Sequence, residues 1–251
     1  MAHLLDGRRA LVTGAGRGIG VEIARELAAE GAAVALAYRG SWEGAERAAA
    51  EICAAGGRAV TLQADLMDAG QAQRLVAETR QLLGGLDILV NNAAGFGPLK
   101  RFEDSVWEDI DAEWNAVVRP MVLATKAALP HLTAQGYGRI VNLAATLLQR
   151  PAPSYGAHTM AKAAVLAYTR ILAQEVGPQG ITVNAVSPGM TRTEFSERLP
   201  ESRKAAVAGK TPRRRLATAT DVAKAVVFFC TPLADFVTGA NLAPDGGLAV
   251  L

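Results

Sequence analysis

Short apolar runs alternate with longer stretches whose apolar residues recur every three or four positions, almost from one end of the chain to the other. The runs fall at residues 10–12, 34–38, 59–62, 88–90, 140–143 and 182–186. Each is bounded by Gly, Asn or Asp and is too short for a helix, which predicts buried strands. Between them, residues 19–30, 42–55, 69–83, 105–132 and 154–176 carry helical spacing. Strand–helix alternation requires parallel pairing through right-handed crossovers, with helices on both faces of the sheet. The prediction is a single doubly wound α/β domain over residues 1–251, with no repeat or linker. Residues 191–215, rich in Pro and charge, break the alternation and are the candidate for a mobile substrate flap at about 190–215.

Composition narrows the field of functions. The 251 residues carry 26 Lys+Arg against 24 Asp+Glu, and half are apolar. A net charge of +2 argues against a nucleic-acid partner. Cys53 and Cys230 are too few for a disulfide framework and lack metal-ligand spacing. They predict no metal and a reducing, cytoplasmic setting. No apolar run approaches a bilayer span, and the polar start at Asp6, Gly7, Arg8 and Arg9 lacks a signal-like core, so no membrane is expected.

The candidate chemistry begins after the first strand. Residues 13–20 read Thr-Gly-Ala-Gly-Arg-Gly-Ile-Gly, placing Gly14, Gly16, Gly18 and Gly20, with Arg17 and Ile19, between a strand and a long helix. Glycines there let backbone N–H groups approach a pyrophosphate, and the helix N-terminus favours the anion. A tight turn without a ligand is the plainer alternative. The second strand ends at Tyr38-Arg39, where an NAD enzyme of this architecture would place a carboxylate for the ribose hydroxyls. Arg39 and Arg17 instead suit a 2′-phosphate, unless both are simply solvated, and favour NADP(H).

Four further motifs follow in order: Asp65-Leu66, then Asn91-Asn92-Ala93-Ala94-Gly95, then Ser187-Pro188-Gly189, then Asp245-Gly246-Gly247. With the glycine loop they resemble the short-chain dehydrogenase/reductase family over roughly residues 6–250. The resemblance implies a Rossmann fold with a seven-stranded parallel sheet and a homotetramer or homodimer packed through long helices. It implies Asp65 and Leu66 near the adenine, and Asn91 beside the adenine ribose, with Ala93 and Gly95 on the same cofactor wall. It also implies Pro188, Gly189, Thr191 and Thr193 near the nicotinamide, although plain turns would account for the Asn and Pro-Gly motifs.

The departures from that family carry more information. Its usual chemistry needs a Tyr four residues before a Lys, a Ser thirteen before the Tyr, and an Asn on the preceding long helix. The Tyr protonates the carbonyl oxygen, the Lys lowers its pKa, and the Ser holds the oxygen. Aligned on Lys162, the Tyr position is His158, the Ser position is Ala145 and the Asn position is Val117. Asn115 is two residues away and faces elsewhere on the helix.

Tyr155 stands seven residues before Lys162, nearly two helical turns, so both can share a face. That spacing resembles the enoyl-acyl-carrier-protein reductases of the same superfamily. The resemblance implies that Tyr155 stabilises an enolate while Lys162 holds the nicotinamide ribose. Against this, Tyr155 also reads as a helix-start residue behind an N-capping Ser154, and His158 reads either as a replacement acid or as a pocket-lining residue. Lys210, Arg213, Arg214 and Arg215 would steer a carrier-bound or CoA-linked acyl substrate, including an acyl carrier protein, or are a solvated charge run. Phe102, Trp107 and Trp114 on the long helix are read as core or interface. The leading expectation is an NADP(H)-dependent enoyl-thioester reductase using Tyr155 and Lys162. The alternatives are a carbonyl reductase with His158 as proton donor, and a binding, regulatory or cyclase-type protein without redox chemistry.

Overall fold

A computed structural model describes residues 3–250. Seven strands form one parallel sheet: β1 (Arg9–Thr13), β2 (Ala33–Tyr38), β3 (Ala59–Gln63), β4 (Ile88–Asn91), β5 (Gly138–Leu143), β6 (Ile181–Val186) and β7 (Asn241–Leu242). Their order across the sheet is β3-β2-β1-β4-β5-β6-β7. Every pairing is parallel, from Leu11 opposite Ala35 and Leu89 to Val186 opposite Leu242. Parallel strands are buried on both faces, which is why they read as unbroken apolar runs.

Helices cover both faces. Val12, Val34, Leu36, Val90 and Val141 pack with α1 (Gly18–Ala29), α2 (Trp42–Ala54) and α8 (Ala219–Cys230). The alternate residues Leu11, Ala35, Leu89, Ile140 and Val183 pack with α3 (Ala69–Leu83), α4 (Trp107–Gln135) and α5 (Gly156–Val176). Side chains alternate across a strand, so each run feeds two cores. Local signals set the helix ends. Asp68 accepts a hydrogen bond from the Gln71 N–H at 2.9 Å, and Gly84 closes α3 in the left-handed region at φ 82°.

Several expectations shift. The helix expected from residue 154 begins at Gly156, and Ser154, in the left-handed region at φ 71°, does not cap it; Tyr155 holds the N-cap position. The long helix runs from Trp107 and accommodates Pro120 and Pro130. Phe102, Trp107 and Trp114 are exposed on this chain, so none belongs to its core. The 191–215 segment is folded into α6 (Glu194–Glu197) and α7 (Glu201–Lys210), with Thr191 bridged to Ala217. Among the described residues, no helix is long and apolar enough to cross a membrane, and no group of three metal-ligating side chains occurs.

Candidate active site

The strand order reverses between β1 and β4, and loops diverging at such a switch point open a cleft beyond the strands' C-terminal ends. Here that cleft measures about 840 Å3 and runs from Arg39 and Asp65 at one end to His158, Lys162 and Phe195 at the other. A second cavity, of about 680 Å3, lies by Arg9, Gly31 and Arg58, near the opposite ends of the strands and away from these residues.

Backbone shape builds the first end. A Cβ on Gly14 would stand 2.8 Å from Ala93 Cα, one on Gly16 2.7 Å from Ser41 Cβ, and one on Gly20 2.5 Å from Asn92 Nδ2. Gly14 and Gly18 also take φ of 65° and 57°, a region that L side chains rarely adopt. Asn92 ties the loop down by donating to the carbonyls of Thr13 and Gly14 at 3.0 and 3.1 Å. The Thr13 hydroxyl accepts from the N–H groups of Asn92 and Ala93, both at 3.0 Å.

Helix α1 then starts with no side-chain cap and no acidic residue in its first turn. Its free N–H groups and dipole are therefore available to an anion. Arg17 and Arg39 both line the cleft, exposed, and among the described residues neither has a carboxylate within 4.0 Å. With Tyr38 beside them and no acidic residue at the end of β2, this end fits a phosphorylated ribose better than a bare one.

The other predicted cofactor residues divide. Ile19, Asp65, Leu66, Ala93, Gly95, Pro188 and Thr193 line the cleft. Asn91, Gly189 and Thr191 do not. The Asn91 amide donates to Thr125 Oγ1 at 2.9 Å and to Asn142 Oδ1 at 2.8 Å, inside a buried polar ladder that Asn142 extends to Thr169. The Thr191 hydroxyl donates to the Gly189 carbonyl at 3.0 Å, and Gly189 packs against Asp245. The Asn91 NH2 group and the Thr191 hydroxyl thus have protein partners, whereas the Asn91 Oδ1 is buried with none.

Side chains build the second end. Lys162 and His158 lie one turn apart on α5, both buried and both lining the cleft. The Lys162 ammonium donates to the Leu143 carbonyl at 2.7 Å. Burial pulls its pKa down to about 8, against an opposing pull from Glu113. His158 Nδ1 lies 2.5 Å from Glu113 Oε1, while the Gly97 N–H donates to Glu113 Oε2 at 2.6 Å. Burial pushes the Glu113 carboxyl up, but hydrogen bonds from His158 and Gly97 outweigh it and hold the group below its ordinary value.

Glu113 escaped the sequence reading. It precedes Val117 by four residues on α4 and is 2% exposed. It therefore shares the buried face on which the family's Asn was sought. Asn115, by contrast, is half-buried and donates to Asp111.

Tyr155 lies outside the residues that line the cleft. Its hydroxyl accepts from Arg203 at 2.8 Å, and its ring packs edge-on against Phe96, with centroids 5.9 Å apart. Phe96 in turn lies 4.3 Å from the His158 ring and 5.2 Å from Phe195. No motif marked Phe96 or Phe195; only their aromatic type in a loop and in the flap was visible.

Comparison with known proteins agrees with this arrangement. A family model described as Enoyl-(Acyl carrier protein) reductase matches residues 14–249. A solved short-chain dehydrogenase/reductase from Serratia marcescens superposes with a TM-score of 0.91 at 35% identity, covering 98% of this chain and all of that one. The chain belongs to the short-chain dehydrogenase/reductase family. Another solved family member, a short-chain dehydrogenase from Burkholderia cenocepacia in complex with NADP, is 39% identical with a TM-score of 0.89, covering 99% of this chain and all of that one. The 3-oxoacyl-acyl-carrier-protein reductase FabG of Staphylococcus aureus is 35% identical over 244 residues, 96% of this chain and 98% of that protein. Its counterpart from Haemophilus influenzae is 35% identical over 246 residues, 97% and 99% respectively.

Proposed function

We propose that the protein is an NADP(H)-dependent reductase of carbonyl groups, acting on 3-oxoacyl thioesters, with His158 as the proton donor. The observation that carries this reading is the buried Glu113–His158 pair, one helical turn from Lys162, at the reaction end of the cleft. NADPH, when bound, supplies the hydride. Arg17 and Arg39 hold its 2′-phosphate, the uncapped start of α1 its pyrophosphate, and Lys162 its nicotinamide ribose.

The ionised Glu113 accepts the Nδ1–H of His158 and stabilises the imidazolium, which leaves Nε2–H free to protonate the carbonyl oxygen as it becomes an alkoxide. The Gly97 N–H keeps the carboxylate aimed at the imidazole. Ala145 offers no hydroxyl, so protonation by His158 rather than a serine hydrogen bond stabilises the developing charge. The two FabG relatives supply the substrate class by name.

Reduction of an enoyl thioester through Tyr155 is the second reading. It is favoured by the spacing of Tyr155 and Lys162, by the contact of Tyr155 with Phe96 at the cleft mouth, and by the description of the matching family model. It requires the phenol to leave Arg203 and turn inward.

Following NADPH absorbance with 3-oxobutyryl-CoA and with crotonyl-CoA separates the two. Oxidation with the 3-oxo compound alone is expected. Oxidation with crotonyl-CoA alone would replace the first reading by the second.

A further inference from the structure

Helices α6 and α7 bring cations to the outer rim of the cleft that the cofactor end does not need. Arg198 lines the cleft, and Arg203 stands one layer further out, half-buried. Two of the three acidic residues of this segment are already engaged, since Lys204 Nζ lies 2.9 Å from both Glu197 and Glu201; the third, Glu194, lines the cleft and has no ion pair with any described residue. Among the described residues, no carboxylate lies within 4.0 Å of Arg198 or Arg203.

Arg203 is nevertheless held in place. One of its terminal nitrogens donates to the Tyr155 hydroxyl at 2.8 Å, and its guanidinium carbon sits 5.7 Å from the centre of that ring. The remaining donors of the planar fork are uncommitted. A half-buried guanidinium that is oriented but lacks a counter-charge is poised to take a carboxylate or phosphate by charge-assisted hydrogen bonds.

We propose that Arg203, seated on Tyr155 and reinforced by Arg198, is a subsite for an anionic group at the remote end of the substrate. The inference rests on the proposed reaction for what is reduced, and adds what the rest of the substrate must carry. Two ring contacts, Tyr155 on Phe96 and Phe96 on His158, separate the guanidinium from the proton donor. The anion is therefore several bonds from the reacting carbonyl. Two sources have this chemistry: a carboxylate ending a short acyl chain, and the phosphate of a pantetheine arm.

Calorimetric binding of unreactive acyl thioesters to the NADPH-loaded protein tests the subsite without requiring turnover. The probes are butyryl-CoA, the glutaryl thioester of N-acetylcysteamine with its free carboxylate, and the neutral butyryl thioester of N-acetylcysteamine. Arg203→Gln is expected to weaken at least one anionic probe by about 10- to 100-fold, the usual worth of a hydrogen bond to a charged group. The neutral probe should change by less than about twofold, and the probe that loses affinity identifies the source of the anion. Helix α7 buries no side chain, so the variant should melt at the wild-type temperature. Equal weakening of all three probes, no weakening of either anion, or no binding of either anion to the wild type would each overturn the subsite. Loss of the reductase reading would show separately, as wild-type protein that binds these probes but reduces no 3-oxoacyl thioester.

Discussion

The two ends of the cleft are built by different means. At the end with the glycine loop, backbone geometry does the work: Gly14, Gly16 and Gly20 are fixed by what a Cβ would strike, and α1 presents bare N–H groups. At the end with Lys162, side chains do the work: Lys162, His158 and Glu113 are buried there together. Binding can persist while the proton-transfer group changes, because the dinucleotide cradle and the reacting atoms share a fold but few side chains. His158 lies on the same helical face as Lys162 and Glu113 engages its Nδ1, so under the proposed reading a new acid needs no new backbone, only a partner for its second nitrogen.

Substitutions at the two ends should fail differently. The largest effect is expected from Gly20→Val, whose side chain would enter space held by the Gly14 carbonyl and the Asn92 amide. Overpacking of this kind costs about 1–3 kcal/mol, and calorimetry should find NADPH binding abolished with a lower melting temperature. His158→Ala should leave NADPH affinity intact while lowering kcat for a 3-oxoacyl thioester by about 10²–10⁴-fold. Glu113→Gln keeps the shape but removes the charge that supports the imidazolium. It should lower kcat about 10- to 100-fold, the loss of one charged hydrogen bond, with KM nearly unchanged in steady-state assays. Arg39→Ser should cost about tenfold in NADPH affinity and nothing in NADH affinity, a difference that sharpens the contrast because it touches only the first end.

A separate effect is set by pH. Lys162 titrates at about 8 instead of the ordinary 10.5, so reduction should decline as pH rises through 8 and the ammonium is lost. Stability should move the other way. Between about 8 and 10.5 the unfolded chain binds more protons at this residue than the folded one, so the Lys162 contribution to stability rises with pH across that window. Thermal melts at pH 7.5 and 10, comparing wild type with Lys162→Met, isolate it.

The same division governs how much the sequence revealed. The six longer strands were visible as apolar runs because parallel strands are buried on both faces, and the glycine loop was visible because its chemistry is tied to spacing. β7, two residues long, is too short for any periodicity. α8 lies outside the stretches of helical spacing given above, although Thr218 and Asp221 form a capping box before an apolar helix. Glu113 was not legible as a functional residue, since carboxylates on a long helix are usually solvated. Only its register with Val117 hints that it faces inward. Tyr155 was legible from its spacing to Lys162, but not its position at the rim, which the turn at Ser154 and the bond from Arg203 set.

The most direct test compares His158→Ala with Tyr155→Phe on a single 3-oxoacyl thioester, by the initial rate of NADPH oxidation at saturating cofactor. A loss of at least about 100-fold in the histidine variant, with the tyrosine variant within about threefold of wild type, is the predicted result. The reverse order, with turnover surviving in His158→Ala and lost in Tyr155→Phe, would contradict the assignment of His158 as the proton donor.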